Sequence, residues 1–83
     1  MNTKTVLVID DEEDIATAIS RSLKREGYSV IITSDYKTSI KVIANSEIDL
    51  IISDVMLPYT GGFDIVEYVK NNDTLKNTPV SLV

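Results

Sequence analysis

Cysteine and histidine are both missing from this chain. Without Cys there is no disulfide framework, no zinc–thiolate centre and no thiol nucleophile. Without His there is no Ser-His catalysis, no imidazole-ligated metal and no side chain able to carry phosphate on an imidazole nitrogen. Basic residues are few: eight against thirteen acids, a net charge of −5. That balance argues against nucleic acid or anionic lipid as the direct ligand of this segment. No stretch approaches the ~18 consecutive apolar residues of a membrane span. The apolar run Val6-Leu7-Val8-Ile9 is too short for a secretory signal and is closed by five acids, so a cytoplasmic location is expected. Carboxylates, hydroxyls, Lys and Arg are left to do any chemistry.

What is present is an ordinary globular composition, 43% hydrophobic and 25% charged over 83 residues, enough for one domain or part of one. Strand-like and helix-like pieces alternate along it. Thr5–Ile9 is a β-branched apolar run that predicts a strand buried on both faces. Acids from Asp10 to Asp14 break it. A helix then places Ile15, Ala18, Ile19, Ser22 and Leu23 on one face and stops at Gly27, with acids at its start and bases at its end. Tyr28–Thr33 predicts a second strand, and Tyr36–Ala44 a helix presenting Ile40, Ile43 and Ala44. Leu50–Ser53 is a third strand, ended by Asp54. The loop Val55–Gly62 carries Pro58, Gly61 and Gly62, and a third helix marked by Phe63, Ile65, Val66 and Val69 runs to about Asn71. A polar connector from Asn72 to Pro79 leads to the apolar piece Val80–Val83. Such alternation predicts an α/β fold with a parallel sheet.

In open parallel sheets the binding crevice lies beyond the carboxyl ends of the strands, where strand order reverses. Asp10 and Asp11 follow the first strand and Asp54 follows the third. If those strands are neighbours, three carboxylates converge, and their mutual repulsion calls for a cation. An oxygen-only donor set favours a hard ion, Mg²⁺ or Mn²⁺. The plainer reading of Asp10-Asp11-Glu12-Glu13-Asp14 is a solvated first helical turn, and of Asp54 a turn or capping residue. Glu12, Glu13 and Asp14 fit the plainer reading. A dinucleotide fold or a P-loop would need glycines where these acids stand, and an EF-hand would need glycine at Ile15.

Two segments carry a family resemblance. Val8-Ile9-Asp10-Asp11-Glu12, and Asp54 to Gly62 with its Asp-x-x-x-Pro-x-x-x-Gly spacing, resemble the receiver domain of two-component response regulators. The resemblance spans essentially the whole chain. It implies a flavodoxin-like three-layer sandwich with a parallel sheet of order 2-1-3-4. It further implies that Asp54 accepts a phosphoryl group from a sensor histidine kinase or phosphotransfer protein. Asp10, Asp11, Asp54 and the backbone carbonyl of Met56 would hold Mg²⁺ (or Mn²⁺), with Pro58 and Gly62 shaping the loop. On this reading the chain is a signalling domain rather than an enzyme. Absent from the chain are the family's Ser or Thr ending strand four, for which Ser81 is no substitute, and its Lys ending strand five. The fifth strand and last two helices are likewise lacking, so residues 1–83 are expected to be a receiver domain incomplete at the C-terminus. The Val80–Val83 edge is then expected to pair with a second copy or to belong to a longer molecule. Competing readings are a pseudo-receiver acting as an interaction or structural module without phosphorylation, and a haloacid-dehalogenase-type phosphatase. Met56 stands where the latter family needs its second Asp.

Overall fold

The computed structural model describes residues 3–54, 62–72 and 77–82, and for residues 62 and 63 the backbone alone. Their elements run β1 (Thr5–Ile9), α1 (Glu13–Arg25), β2 (Ser29–Thr33), α2 (Tyr36–Asn45), β3 (Leu50–Ser53), α3 (Gly62–Lys70) and β4 (Val80–Leu82). The strands form one parallel sheet in the order β2-β1-β3-β4. The fold class and strand order expected from the sequence are those observed.

Strand alternation sorts the apolar side chains into two layers. From β1, Val6 and Val8 point one way, packing with Ala16, Ile19 and Leu23 of α1 and with Val30, Leu50 and Ile52. Leu7 and Ile9 point the other way, into a cluster with Ile43, Ile48, Ile51, Ile65 and Val69 beneath α2 and α3. β1 is therefore buried on both faces, as its unbroken apolar run requires. At about 1.5–3 kcal/mol for each fully buried aliphatic side chain, these interior strands hold most of the driving force for folding.

Two helix faces differ from expectation. On α1 the buried residues are Ala16 and Ser20, with Ile19 and Leu23 half-buried, while Ile15 is 44% exposed and Ala18 and Ser22 face water. The face lies one position on from the one that the large apolar residues suggest. Ala16, Ile19, Ser20 and Leu23 still obey the i, i+3, i+4, i+7 rule. Small side chains at 16 and 20 let the helix approach Val6 and Val8 closely, and that contact sets its rotation. On α2, Ser39 and Ile43 are buried, Ile40 is half-buried and Ala44 is exposed. Ser39 takes the place expected of Ala44 because its hydroxyl has a partner inside.

The ends of α1 follow local chemistry. Glu13 and Asp14 occupy the first turn and Lys24 and Arg25 the last, each matching the helix dipole. Gly27, at φ 94°, closes the helix in a Schellman arrangement, with Tyr28 N–H donating to the Leu23 carbonyl and Gly27 N–H to that of Lys24. The strand expected from Tyr28 thus begins one residue later. No helix among the described residues is long and apolar enough to cross a membrane.

Candidate metal centre

β1 and β3 lie side by side in register, Ile9 opposite Ser53. The residues that follow them therefore emerge at the same level, at the point where the chain's strand order reverses direction. Hydrogen bonds hold both exits. Asp54 N–H donates to the Ile9 carbonyl at 2.9 Å, and Asp10 N–H to the Thr33 carbonyl at 3.0 Å. The main chain at Asp10 is thus tied to β2 and that at Asp54 to β1.

This arrangement brings Asp10, Asp11 and Asp54 together. One carboxylate oxygen from each lies within 4.8 Å of the other two. Asp10 is buried at 5% exposure, Asp54 is half-buried and Asp11 is exposed. The Asp10 carboxylate also accepts a hydrogen bond from Glu12 N–H at 2.9 Å, which turns the chain toward α1. Glu12, Glu13 and Asp14 are exposed and begin the helix, outside the cluster. Met56 and Pro58 lie outside the described residues, as do Gly61 and Val83. Gly62 is the first residue of α3. Ser81 sits opposite Ile52, inside β4 and exposed, one residue short of the strand's end.

Two unit charges about 5 Å apart repel by roughly 3 kcal/mol at an effective dielectric of 20. A divalent cation relieves that repulsion for all three carboxylates together. The donor set fits a hard ion: it is oxygen only, and a spread below 4.8 Å accommodates carboxylates on one octahedral centre with metal–oxygen distances of about 2.1 Å. Asp10, Asp11 and Asp54 are the residues that would hold it.

Three contributors at the neighbouring end of β2 escape the sequence reading. Asp35 caps α2, its carboxylate accepting from Thr38 N–H at 2.7 Å and Thr38 Oγ1 at 3.1 Å. The Thr38 amide, then its hydroxyl, then Lys37 and Lys41 hold the Asp35 carboxyl below its ordinary value of 3.8. Asp followed three residues later by Thr at the start of an apolar-periodic segment is a visible N-cap signal. Thr33 and Ser39 are both buried and share a hydrogen bond of 2.6 Å. Nothing in the local pattern marks them as a pair.

Comparison with known proteins agrees with this geometry. The model of the response regulator receiver domain family matches residues 6–83. The alkaline phosphatase synthesis transcriptional regulatory protein PhoP of Bacillus subtilis is 40% identical over 67 residues, 81% of this chain and 28% of its own length. The regulatory protein VanR of Enterococcus faecium is 39% identical over 69 residues, 83% of this chain and 30% of its own. The chain thus spans less than a third of either relative. Among solved structures, the chemotaxis response regulator CheY4 of Vibrio cholerae superposes with a TM-score of 0.93 at 31% identity, covering 98% of this chain and 68% of that one. Parallel strands in the order 2-1-3-4, acids at the ends of β1 and β3, and a family match over nearly every residue lead to one conclusion: this chain belongs to the response regulator receiver domain family.

Proposed function

We propose that this chain is the phosphoryl-accepting domain of a two-component signalling protein, with Asp54 as the acceptor. The observation that carries the reading is the meeting of the Asp54 carboxylate with those of Asp10 and Asp11 at adjacent strand ends. A Mg²⁺ or Mn²⁺ ion bound there would neutralise charge on the transferring group and its surroundings. The chain's own contribution is positioning. β3 and the Asp54 N–H bond to Ile9 hold the acceptor at a fixed place on the sheet, and Asp10 and Asp11 supply the oxygen ligands. An Asp54 carboxylate oxygen attacks phosphorus in line, the O–P bond forms, and the bond from phosphorus to the donor's imidazole nitrogen breaks. The electron pair leaves on that imidazole, and Asp54 becomes an acyl phosphate. Residues 1–83 hold no His, so the phosphoryl donor lies outside this segment, on a sensor histidine kinase or phosphotransfer protein.

Met56, through its backbone carbonyl, and Pro58 and Gly62, as loop-shaping residues, belong to the same proposal by family resemblance. So does the description of residues 1–83 as a receiver segment whose remaining strand and helices lie outside this sequence. PhoP is named a transcriptional regulator and the Rhizobium meliloti relative NtrC a DNA-binding one. A longer protein carrying this chain would accordingly couple phosphorylation to DNA. The test is incubation of the protein with a small acyl-phosphate donor and Mg²⁺, read by intact mass. In a version extended through the fifth strand and its helices, one phosphoryl group is expected, none without divalent metal and none on Asp54→Asn. Residues 1–83 alone should take it up slowly or not at all, because they lack the family's Ser/Thr and Lys. A phosphoryl group retained by Asp54→Asn would sink the assignment.

A further inference from the structure

Beside the acidic cluster, at the end of β2, lies a buried polar contact with no part in the proposal above. Thr33 is 6% exposed and Ser39 is fully buried, and both belong to segments that otherwise bury hydrocarbon. Ser39 Oγ donates to the Asp35 carbonyl at 2.5 Å. A serine hydroxyl has one hydrogen, so in the 2.6 Å contact with Thr33 it is Thr33 Oγ1 that donates. The chain of bonds therefore has a direction, from Thr33 hydroxyl to Ser39 hydroxyl to Asp35 carbonyl. Its far end is the capped first turn of α2. Its near end is the residue whose own carbonyl receives the Asp10 N–H.

We infer that the Thr33–Ser39 hydroxyl pair is a positioning contact of the acidic centre, fastening α2 to the end of β2 and thereby fixing the peptide that orients Asp10. The inference rests on the reading of Asp10, Asp11 and Asp54 as a metal site. Thr33 is the last residue of β2, opposite Ile9. Beyond that pair the ladder's one remaining link is Asp10 N–H to Thr33 carbonyl. The direction in which Asp10 leaves β1 depends on the Thr33 peptide staying in place. Main-chain pairing holds that peptide on one side, and the Thr33 side chain anchors it to a helix on the other. Asp10 is the most buried of the three acids, so its carboxylate has the least freedom to correct a displaced backbone. A hydroxyl pair supplies direction that two methyl groups in the same space would not, because hydrogen bonds weaken steeply with misalignment whereas apolar contact does not.

Four proteins test this: wild type, Ser39→Ala, Thr33→Val, and the double variant. Each is titrated with Mg²⁺ by calorimetry at a temperature where circular dichroism shows it folded. Removing a partner one step outside the ligands themselves is expected to weaken Mg²⁺ binding about threefold to tenfold, at or below the lower end of what direct ligand supports cost. Ser39→Ala leaves the Thr33 hydroxyl buried without its acceptor and should also lower Tm. The double variant replaces both hydroxyls by apolar groups and should recover most of that Tm, yet keep the weakened Mg²⁺ affinity. Recovery of stability without recovery of affinity is what a merely structural contact would not produce. Wild-type Mg²⁺ affinity in the double variant would overturn the inference. A readout free of metal accompanies it: the Asp10 amide proton resonance should move upfield in Ser39→Ala, and an unmoved resonance would overturn the inference as well. Asp11→Asn serves as the control for the underlying reading. If it fails to weaken Mg²⁺ binding, the metal assignment is wrong, and the Asp10 resonance alone decides the positioning role.

Discussion

The first turns of α1 and α2 flank the same end of the sheet and use acids in opposite ways. α1 begins within a run of five acids, yet Glu12 at its N-cap makes no side-chain capping bond, and Asp10 and Asp11 turn toward Asp54 instead. α2 has no acid in its first turn, and its single Asp35 is fully engaged as a cap by Thr38. At α2 the carboxylate stabilises the fold. At α1 the carboxylates of Asp10 and Asp11 instead gather with that of Asp54, at mutual electrostatic cost. The same residue type at equivalent places thus caps a helix in one case and joins a cluster of three carboxylates in the other, and neighbouring strand ends make the difference.

The sharpest break between the two turns is their response to metal. At Mg²⁺ a hundredfold above its dissociation constant, binding to the folded state adds about 2.7 kcal/mol by linkage. Asp11→Asn is expected to remove most of the resulting rise in Tm, whereas Asp35→Asn should retain it whole. Equal losses in both variants would dissolve the distinction. Next comes the packing of α1. Ala16→Leu pushes a large side chain against Val6 and Val8 and should cost about 1–3 kcal/mol in urea unfolding.

Acid unfolding separates the turns in a different way. The Asp35 carboxyl is held below 3.8 chiefly by the Thr38 amide. A depressed folded-state pKa contributes stability above the unfolded value that is lost as pH falls through the folded one. The stability of Asp35→Asn should therefore fall less steeply than that of wild type below about pH 4, as read from urea midpoints across pH. An unchanged slope would mean the cap holds no charge-dependent free energy. Smallest of all is Ile15→Gln, expected within about 0.5 kcal/mol of wild type because Ile15 is 44% exposed. A loss as large as that of Ala16→Leu would restore the helix face read from the sequence.

Much of this protein was legible before folding. β-branched runs at Thr5–Ile9 and Leu50–Ser53, each closed by Asp, announce interior parallel strands with carboxylates at their exits. Alternation with helical segments announces a parallel sheet, and the family resemblance of the two Asp-bearing segments supplies its order. Gly27 announces the end of α1, since its left-handed φ suits no other residue as well. These features depend on local chemistry and on period, and both are properties of the chain itself.

Folding alone decided the rotation of α1 and α2 and the contact between Thr33 and Ser39. Ile15 and Ile19 look equally apolar in sequence, yet Ala16 and Ser20 turn toward the sheet because only small side chains allow the helix to close on Val6 and Val8. Ser39 reads as a misplaced polar residue on an apolar face until Thr33, six positions earlier on another element, supplies its partner. The spacing of the three acids is likewise tertiary, since Asp54 reaches Asp10 only through the pairing of Ile9 with Ser53. Periodicity states which residues share a face. Which face turns inward, and which hydroxyl meets which, depends on the shape of the surface packed against it, and that surface exists only after the strands have paired.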